Sequence, residues 1–344
     1  MRITKLTTYR LAPRWMFLKI DTDAGISGWG EAFGYGNIAG TKATLDEFVT
    51  PQLLGRDARQ IGPLMFDMQQ RTHNFGRNGP VIYALSGVDI ALWDIAGKAA
   101  GKPVYELLGG AQRNAVNAYS SLVRYTDPAL VAKNTAASIE RGYEAVKLHE
   151  ITEPAVRAAR GAGGAQFKLT VDCNCPWPAH EALAMARAFK AYDLYWLEEP
   201  VWPPENHTGL ALVQRESGIA LAAGENAASV MDFRHMFEAN AVTFAQPSVT
   251  KIGGITELRK VAALAEQHNV RLMPHSPYFG PGFVATLQVL ATWPHDTFIE
   301  RLYFDLEASP YGDLIDPVQG KIRVPDGPGL GLDPDPAVLK KYCA

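Results

Sequence analysis

The sequence predicts an α/β protein: a parallel (β/α)8 TIM-type barrel preceded by a smaller α+β domain. Three observations carry that prediction. After Gly110, short β-branched or aromatic runs recur every 23 to 28 residues. An Ala-rich amphipathic segment follows each of the first seven, which is the strand–loop–helix repeat of a barrel. No glycine fingerprint of the dinucleotide-binding type follows any of these runs, which argues against a doubly wound open sheet.

Taken in order, Phe17–Ile20 reads as a strand, and Asp23–Gly25 is a turn leading into a second strand through Gly28-Trp29-Gly30-Glu31. The stretch Phe33–Gly40 is Gly-rich and aromatic, which suits a flap better than a strand. From Thr41 to Gly110 the texture is helical, with Ile82, Leu85, Val88, Asp89, Leu92, Trp93 and Ile95 at three- and four-residue spacing. Residues 1–110 therefore form the first domain and 111–319 the barrel. Its strands begin near Val116, Glu144, Phe167, Leu194, Ile219, Val242, Val270 and Phe298. The helices following the first seven span 128–141, 153–160, 179–191, 205–216, 229–239, 254–268 and 282–291. The segment 320–344 is Pro- and Gly-rich and is expected to pack back on the first domain.

Composition narrows the function. The 344 residues carry 33 Lys+Arg against 36 Asp+Glu, a net charge of −3, so neither nucleic acid nor an anionic membrane is the expected partner. The N-terminal MRITKLTTYR has charges but no apolar run behind it, and no segment reads as a membrane span, so a cytoplasmic enzyme is the default expectation. Three cysteines, Cys173, Cys175 and Cys343, make no disulfide framework and no zinc site.

In a barrel the chemistry sits where strands run into their βα loops. The third strand ends in Thr170-Val171-Asp172-Cys173-Asn174, the fourth in Trp196-Leu197-Glu198-Glu199-Pro200, and the fifth in Ala223-Gly224-Glu225-Asn226. Asp172, Glu198 and Glu225 are 26 and 27 residues apart, one repeat each. One such acid alone reads as a helix cap or a solvated loop charge. Three in register on strands about 4.8 Å apart would repel, and a hard divalent cation resolves the conflict; Mg2+ fits three oxygen ligands with open positions. On the second strand, Lys147 and His149 share one face because side chains alternate. Across the barrel, the seventh strand ends in Met273-Pro274-His275 and the eighth in Phe298-Ile299-Glu300-Arg301. Asn174 shares the face of Asp172 and is a substrate-contact candidate, as are Tyr35 on the flap and Arg124 after the first barrel strand.

These residues resemble the enolase superfamily, specifically the mandelate racemase and muconate lactonizing enzyme branch. The resemblance spans nearly the whole chain: Gly28-Trp29-Gly30-Glu31, the run from Ser86 to Gly110, Lys147-Leu148-His149, Asp172-Cys173-Asn174, WLEEP, Gly224-Glu225-Asn226, Lys251-Ile252-Gly253-Gly254 and His275. It implies an enolase-like modified barrel under an α+β capping domain, with Mg2+ on Asp172, Glu198 and Glu225. It also implies removal of the proton α to a carboxylate, with Lys147 offsetting the charge that develops and a protonated Glu300 hydrogen-bonding the other carboxylate oxygen. His149 stands where the family more often has the second Lys of a Lys-x-Lys pair. One position departs: five residues before the double glycine the racemase pattern has an Asp that orients the histidine and the cycloisomerase pattern a Lys, whereas this chain has Ser248. His275 then lacks its carboxylate, which weakens a two-base racemase and suits a general acid. Ser248 itself joins the substrate-contact candidates.

The expected function is Mg2+-dependent dehydration of an acid sugar or related hydroxy-carboxylate to a 2-keto acid. The alternatives are a racemase or epimerase using His149 and His275 on opposite faces, and a catalytically inactive barrel that binds. The expected partner is a small-molecule carboxylate, with the chain in a homo-oligomer and selectivity in the segments Phe33–Asn37 and His73–Asn78.

Overall fold

The structure, a computed structural model, describes residues 1–11 and 14–343. The chain opens with a three-stranded antiparallel sheet: β1 (Ile3–Leu11), β2 (Trp15–Thr22) and β3 (Ser27–Ala32), in that order. Phe33–Gly40, expected as a flap, is a 3-10 turn over Tyr35–Asn37 that runs straight into a helix, Ile38–Ala43.

The helix Pro80–Ala100 is the centre of this first unit. Pro80 opens it and Gly101, left-handed at φ 65°, closes it. It is long and apolar enough to cross a membrane, but 78% of its apolar window is buried inside the protein, under β3 and its neighbours. The Gly-Trp-Gly run exists for that contact: a Cβ at Gly30 would lie 1.9 Å from Gly87 O, and one at Gly28 2.2 Å from Ala91 O. Strand and helix backbones therefore touch directly.

Eight parallel strands then curl in sequence: β4 (Ala115–Ser121), β5 (Ala145–Leu148), β6 (Lys168–Asp172), β7 (Trp196–Glu198), β8 (Leu221–Ala223), β9 (Phe244–Ala245), β10 (Arg271–Leu272) and β11 (Phe298–Leu302). Their order is β10-β9-β8-β7-β6-β5-β4-β11. Seven helices alternate with them, from Pro128–Glu140 to Pro281–Ala291. Among the described residues the eighth strand has no helix of that length after it; a short 3-10 turn, Gly312–Ile315, follows. Among the described residues no backbone ladder joins β10 to β11. Side chains stitch that seam instead: Thr297 Oγ1 donates to Leu272 O (2.7 Å), Ser276 Oγ to Glu300 O (3.1 Å), and Glu300 N back to Ser276 Oγ (3.1 Å).

The last segment does two things. β12 (Lys321–Arg323) pairs antiparallel with β4, extending the barrel sheet. The chain then reaches the first unit, where Leu330 N donates to Asp94 Oδ1 (2.8 Å) and Leu339 packs with Leu11, Phe17 and Trp29. Inside the barrel, Tyr119, Trp196, Phe244, Met273 and Phe298 form an apolar plug. It closes the floor beneath the polar layer and keeps that layer away from bulk water.

Candidate active site and metal centre

Three adjacent strands bring the acids together. Asp172 is the last residue of β6, Glu198 the last of β7, and Glu225 follows β8. One oxygen from each lies within 4.8 Å of the others. Asp172 and Glu198 are fully buried and the Glu225 side chain is 18% exposed. Supporting bonds orient Asp172 and Glu198. Asn174 donates to Asp172 Oδ1 through both N and Nδ2 (2.9 Å each), and Trp196 Nε1 (2.9 Å) and Gln246 Nε2 (2.6 Å) donate to Glu198 Oε2.

Lys147 is the countercharge. Its buried Nζ lies 3.2 Å from Asp172 Oδ2, 2.9 Å from Glu198 Oε1 and 2.9 Å from Glu300 Oε1. Those carboxylates hold its ammonium well above the usual lysine range even though burial works against the charge. Asp172 is drawn down to about 2, because Lys147 and the bond from His149 outweigh its burial. Glu198 goes the other way, pushed up to about 8 by burial and by the charge of Asp172 beside it. One ammonium thus does not neutralise this cluster. An all-oxygen donor set with convergent atoms and surplus negative charge fits a hard divalent cation.

Glu300 faces opposing influences. Burial raises its carboxyl, but the charges of Lys147 and His275 prevail and hold it below the usual range. Both oxygens are engaged, Oε1 also by Ser121 Oγ (2.7 Å) and Oε2 by Ser276 N (3.0 Å).

The two histidines stand at the two ends of the triad. His149 Nε2 is 3.3 Å from Asp172 Oδ2 and His275 Nε2 is 3.0 Å from Glu225 Oε2. Asp172 lifts the pKa of His149 despite its burial. Ser248 does not face substrate space: it is fully buried, and its Oγ lies 3.2 Å from His275 Nδ1, behind the ring. Its short side chain points between the sixth and seventh βα loops, where the hydroxyl of Tyr278 meets it.

A cleft of about 640 Å³ opens over this layer. His149, Asn174, Arg124 and Tyr35 line it, joined by Arg14 and Trp15 from the first unit. Arg124 bridges two loops, donating to His149 O (2.6 Å) and Asn174 Oδ1 (3.2 Å). Tyr35 stacks on Phe33 at 5.2 Å, and Lys251 Nζ lies 4.8 Å above the Phe33 ring. The two segments expected to share substrate contact separate here. Arg77 and Asn78 line a different cavity of about 490 Å³, with Glu199 and Asn226.

Sequence reading missed Trp196, Gln246, Ser121, Ser276 and Tyr278. Trp196 was findable, since it precedes Glu198 by two and so shares its face of the strand. Nothing local marks Tyr278 or Ser276.

Comparison with known proteins agrees with this geometry. Residues 130–338 match the model described as enolase C-terminal domain-like. Residues 4–109 match that of the mandelate racemase / muconate lactonizing enzyme N-terminal domain. The chain belongs to the mandelate racemase / muconate lactonizing enzyme family. A D-galactonate dehydratase of Ralstonia pickettii is 35% identical, the alignment covering 98% of this chain and 94% of that protein. The crystal structure of the 3,6-anhydro-D-galactonate cycloisomerase from Zobellia galactanivorans superposes with a TM-score of 0.91 at 30% identity, covering 100% of both chains. A family member from Paracoccus denitrificans, complexed with magnesium, superposes with a TM-score of 0.92 at 28% identity, covering 100% of this chain and 98% of that one.

Proposed function

We propose that the protein dehydrates an acid sugar. The proton α to the carboxylate is removed, the β-hydroxyl leaves as water, and the enol formed becomes a 2-keto acid. The tautomer of His149 carries this reading. Its Nδ1 lies 2.5 Å from Leu122 O. A carbonyl oxygen only accepts, so Nδ1 keeps its hydrogen throughout; Nε2 donates to Asp172 while the ring is charged and presents its lone pair once that proton has left. That nitrogen is 3.3 Å from Asp172 Oδ2, and His149 lines the cleft, so Nε2 is the atom that acts as the base for a substrate held over the triad.

Asp172, Glu198 and Glu225 would hold Mg2+, which when bound supplies positive charge against the negative charge developing on the substrate carboxylate. Lys147 adds a fixed ammonium in the same layer. Glu300, with both oxygens occupied, fixes Lys147 in place. His275, at the Glu225 end, delivers the proton that turns the leaving hydroxyl into water. Arg124, Asn174 and Tyr35 line the part of the cleft that takes the distal hydroxyls. Names among the relatives support the substrate class, since both the dehydratase and the cycloisomerase act on galactonates.

The test is an acid-sugar panel in D2O, reading 2-keto acid and α-deuterium together. Metal-dependent 2-keto acid formation is expected. Exchange with inversion and no keto acid would make the protein a racemase, and neither signal on any carboxylate would leave a binding role. His275→Asn is expected to abolish keto-acid formation while α-proton exchange persists, because His149 survives; equal loss of both would make His275 the base.

A further inference from the structure

His275 is held from both sides. Beyond Nε2 and Glu225, its Nδ1 looks away from the triad toward two hydroxyls, Ser248 Oγ at 3.2 Å and Tyr278 OH at 3.4 Å. Those hydroxyls are hydrogen-bonded to each other, and all three side chains are buried. The phenol ring stands edge-on to the imidazole, 5.9 Å away at 86°. Its backbone and one ring edge are both in contact with neighbours. Tyr278 N donates to Ser276 O (2.7 Å), and a Cβ at Gly282 would come 3.4 Å from the ring. Gly282 N is in turn anchored on Glu31 Oε2 at 2.8 Å.

We propose that Tyr278, acting with Ser248, is the positioning residue that orients His275 through Nδ1, where the racemase pattern has an aspartate. The proposal deepens the reading of His275 as general acid and rests on it.

A hydroxyl pair does what a carboxylate cannot. A carboxylate only accepts, so it holds a ring bearing Nδ1–H. A hydroxyl both donates and accepts, and it changes role by turning about its C–O bond. In the Ser248–Tyr278 pair one O–H is spent on the other oxygen and one is left free. The pair accepts from Nδ1–H in one ring tautomer and donates to Nδ1 in the other. The ring keeps one orientation in either state, and no negative charge is added beside Asp172, Glu198, Glu225 and Glu300.

Tyr278→Phe removes only the hydroxyl. In 15N-histidine-labelled protein, with His275 assigned by the loss of its signals in His275→Asn, the Nδ1 resonance of His275 is expected to shift in Tyr278→Phe. Ser248→Ala, which removes the other member of the pair, is expected to shift it too. This readout needs no turnover, so it stands apart from the proposed reaction. During turnover, Tyr278→Phe is expected to lower kcat about tenfold with KM nearly unchanged, as outer-shell orienting groups do. In a Ser248→Asp background the same change is expected to cost less than about twofold, because the carboxylate then holds the ring. An unmoved Nδ1 resonance in both single variants, or the same kcat loss in both backgrounds, overturns the proposal. A shifted resonance in a protein that turns over no acid sugar would fail the reaction and leave the positioning role in place.

Discussion

Glu31 ends the Gly-Trp-Gly-Glu run and sits where the first unit meets the barrel. Its side chain is 2% exposed, and among the described residues no Lys or Arg pairs with it. Oε2 accepts from Gly282 N (2.8 Å), but burial dominates and pushes the carboxyl from 4.5 up to about 8. Between those two values the folded chain keeps a proton that the unfolded chain has lost. Unfolding free energy therefore falls as pH rises through that window, and the full cost of burying the carboxylate is reached above about pH 8. At about 1.36 kcal/mol per pH unit the rise is worth roughly 4 to 5 kcal/mol, an upper bound because side chains and water relax around a buried charge. Glu31→Gln keeps the acceptor for Gly282 N and never ionises. Urea unfolding should then give nearly equal stabilities for the two proteins at pH 5. At pH 9 the variant should be more stable by about 2 to 4 kcal/mol. A stability difference that stays constant between those pH values would refute the reasoning, since it would mean that Glu31 titrates alike in the folded and unfolded chain.

Two further outcomes follow from the charged layer. Glu225→Gln keeps the shape of a triad member and removes its charge, so Mg2+ affinity by calorimetry and turnover should fall together. The drop should exceed about 100-fold, since even outer-shell changes at metal sites cost 10- to 100-fold; undiminished turnover would displace the metal from these carboxylates. Lys147→Met strands Asp172, Glu198 and Glu300 without their ammonium, so the metal-free protein should lose about 3 kcal/mol in urea unfolding. Added Mg2+ should restore part of that loss, and a variant as stable as the parent would mean that Lys147 does not hold the layer together.

Much of this molecule was legible in the chain as a string. The alternation after Gly110 located all eight barrel strands and the seven helices between them, because strand and helix periods are local properties of ten or so residues. Asp172, Glu198 and Glu225 could be picked out in advance because a barrel gathers every strand's C-terminal end on one rim, so a one-dimensional repeat becomes a ring of neighbours. Lys147 and His149 followed from the two-residue period of a strand. Other features were decided only by the tertiary structure. The setting of Glu300 is made by an ammonium from β5, a hydroxyl from β4 and a backbone N–H after β10, none near it in sequence. Ser248 acquires its place behind His275, and Tyr278 its contact with both, through the packing of two separate loops. Residue types and their period are written along the chain, whereas protonation and orientation depend on distances of about 3 Å between segments that meet only when the barrel closes.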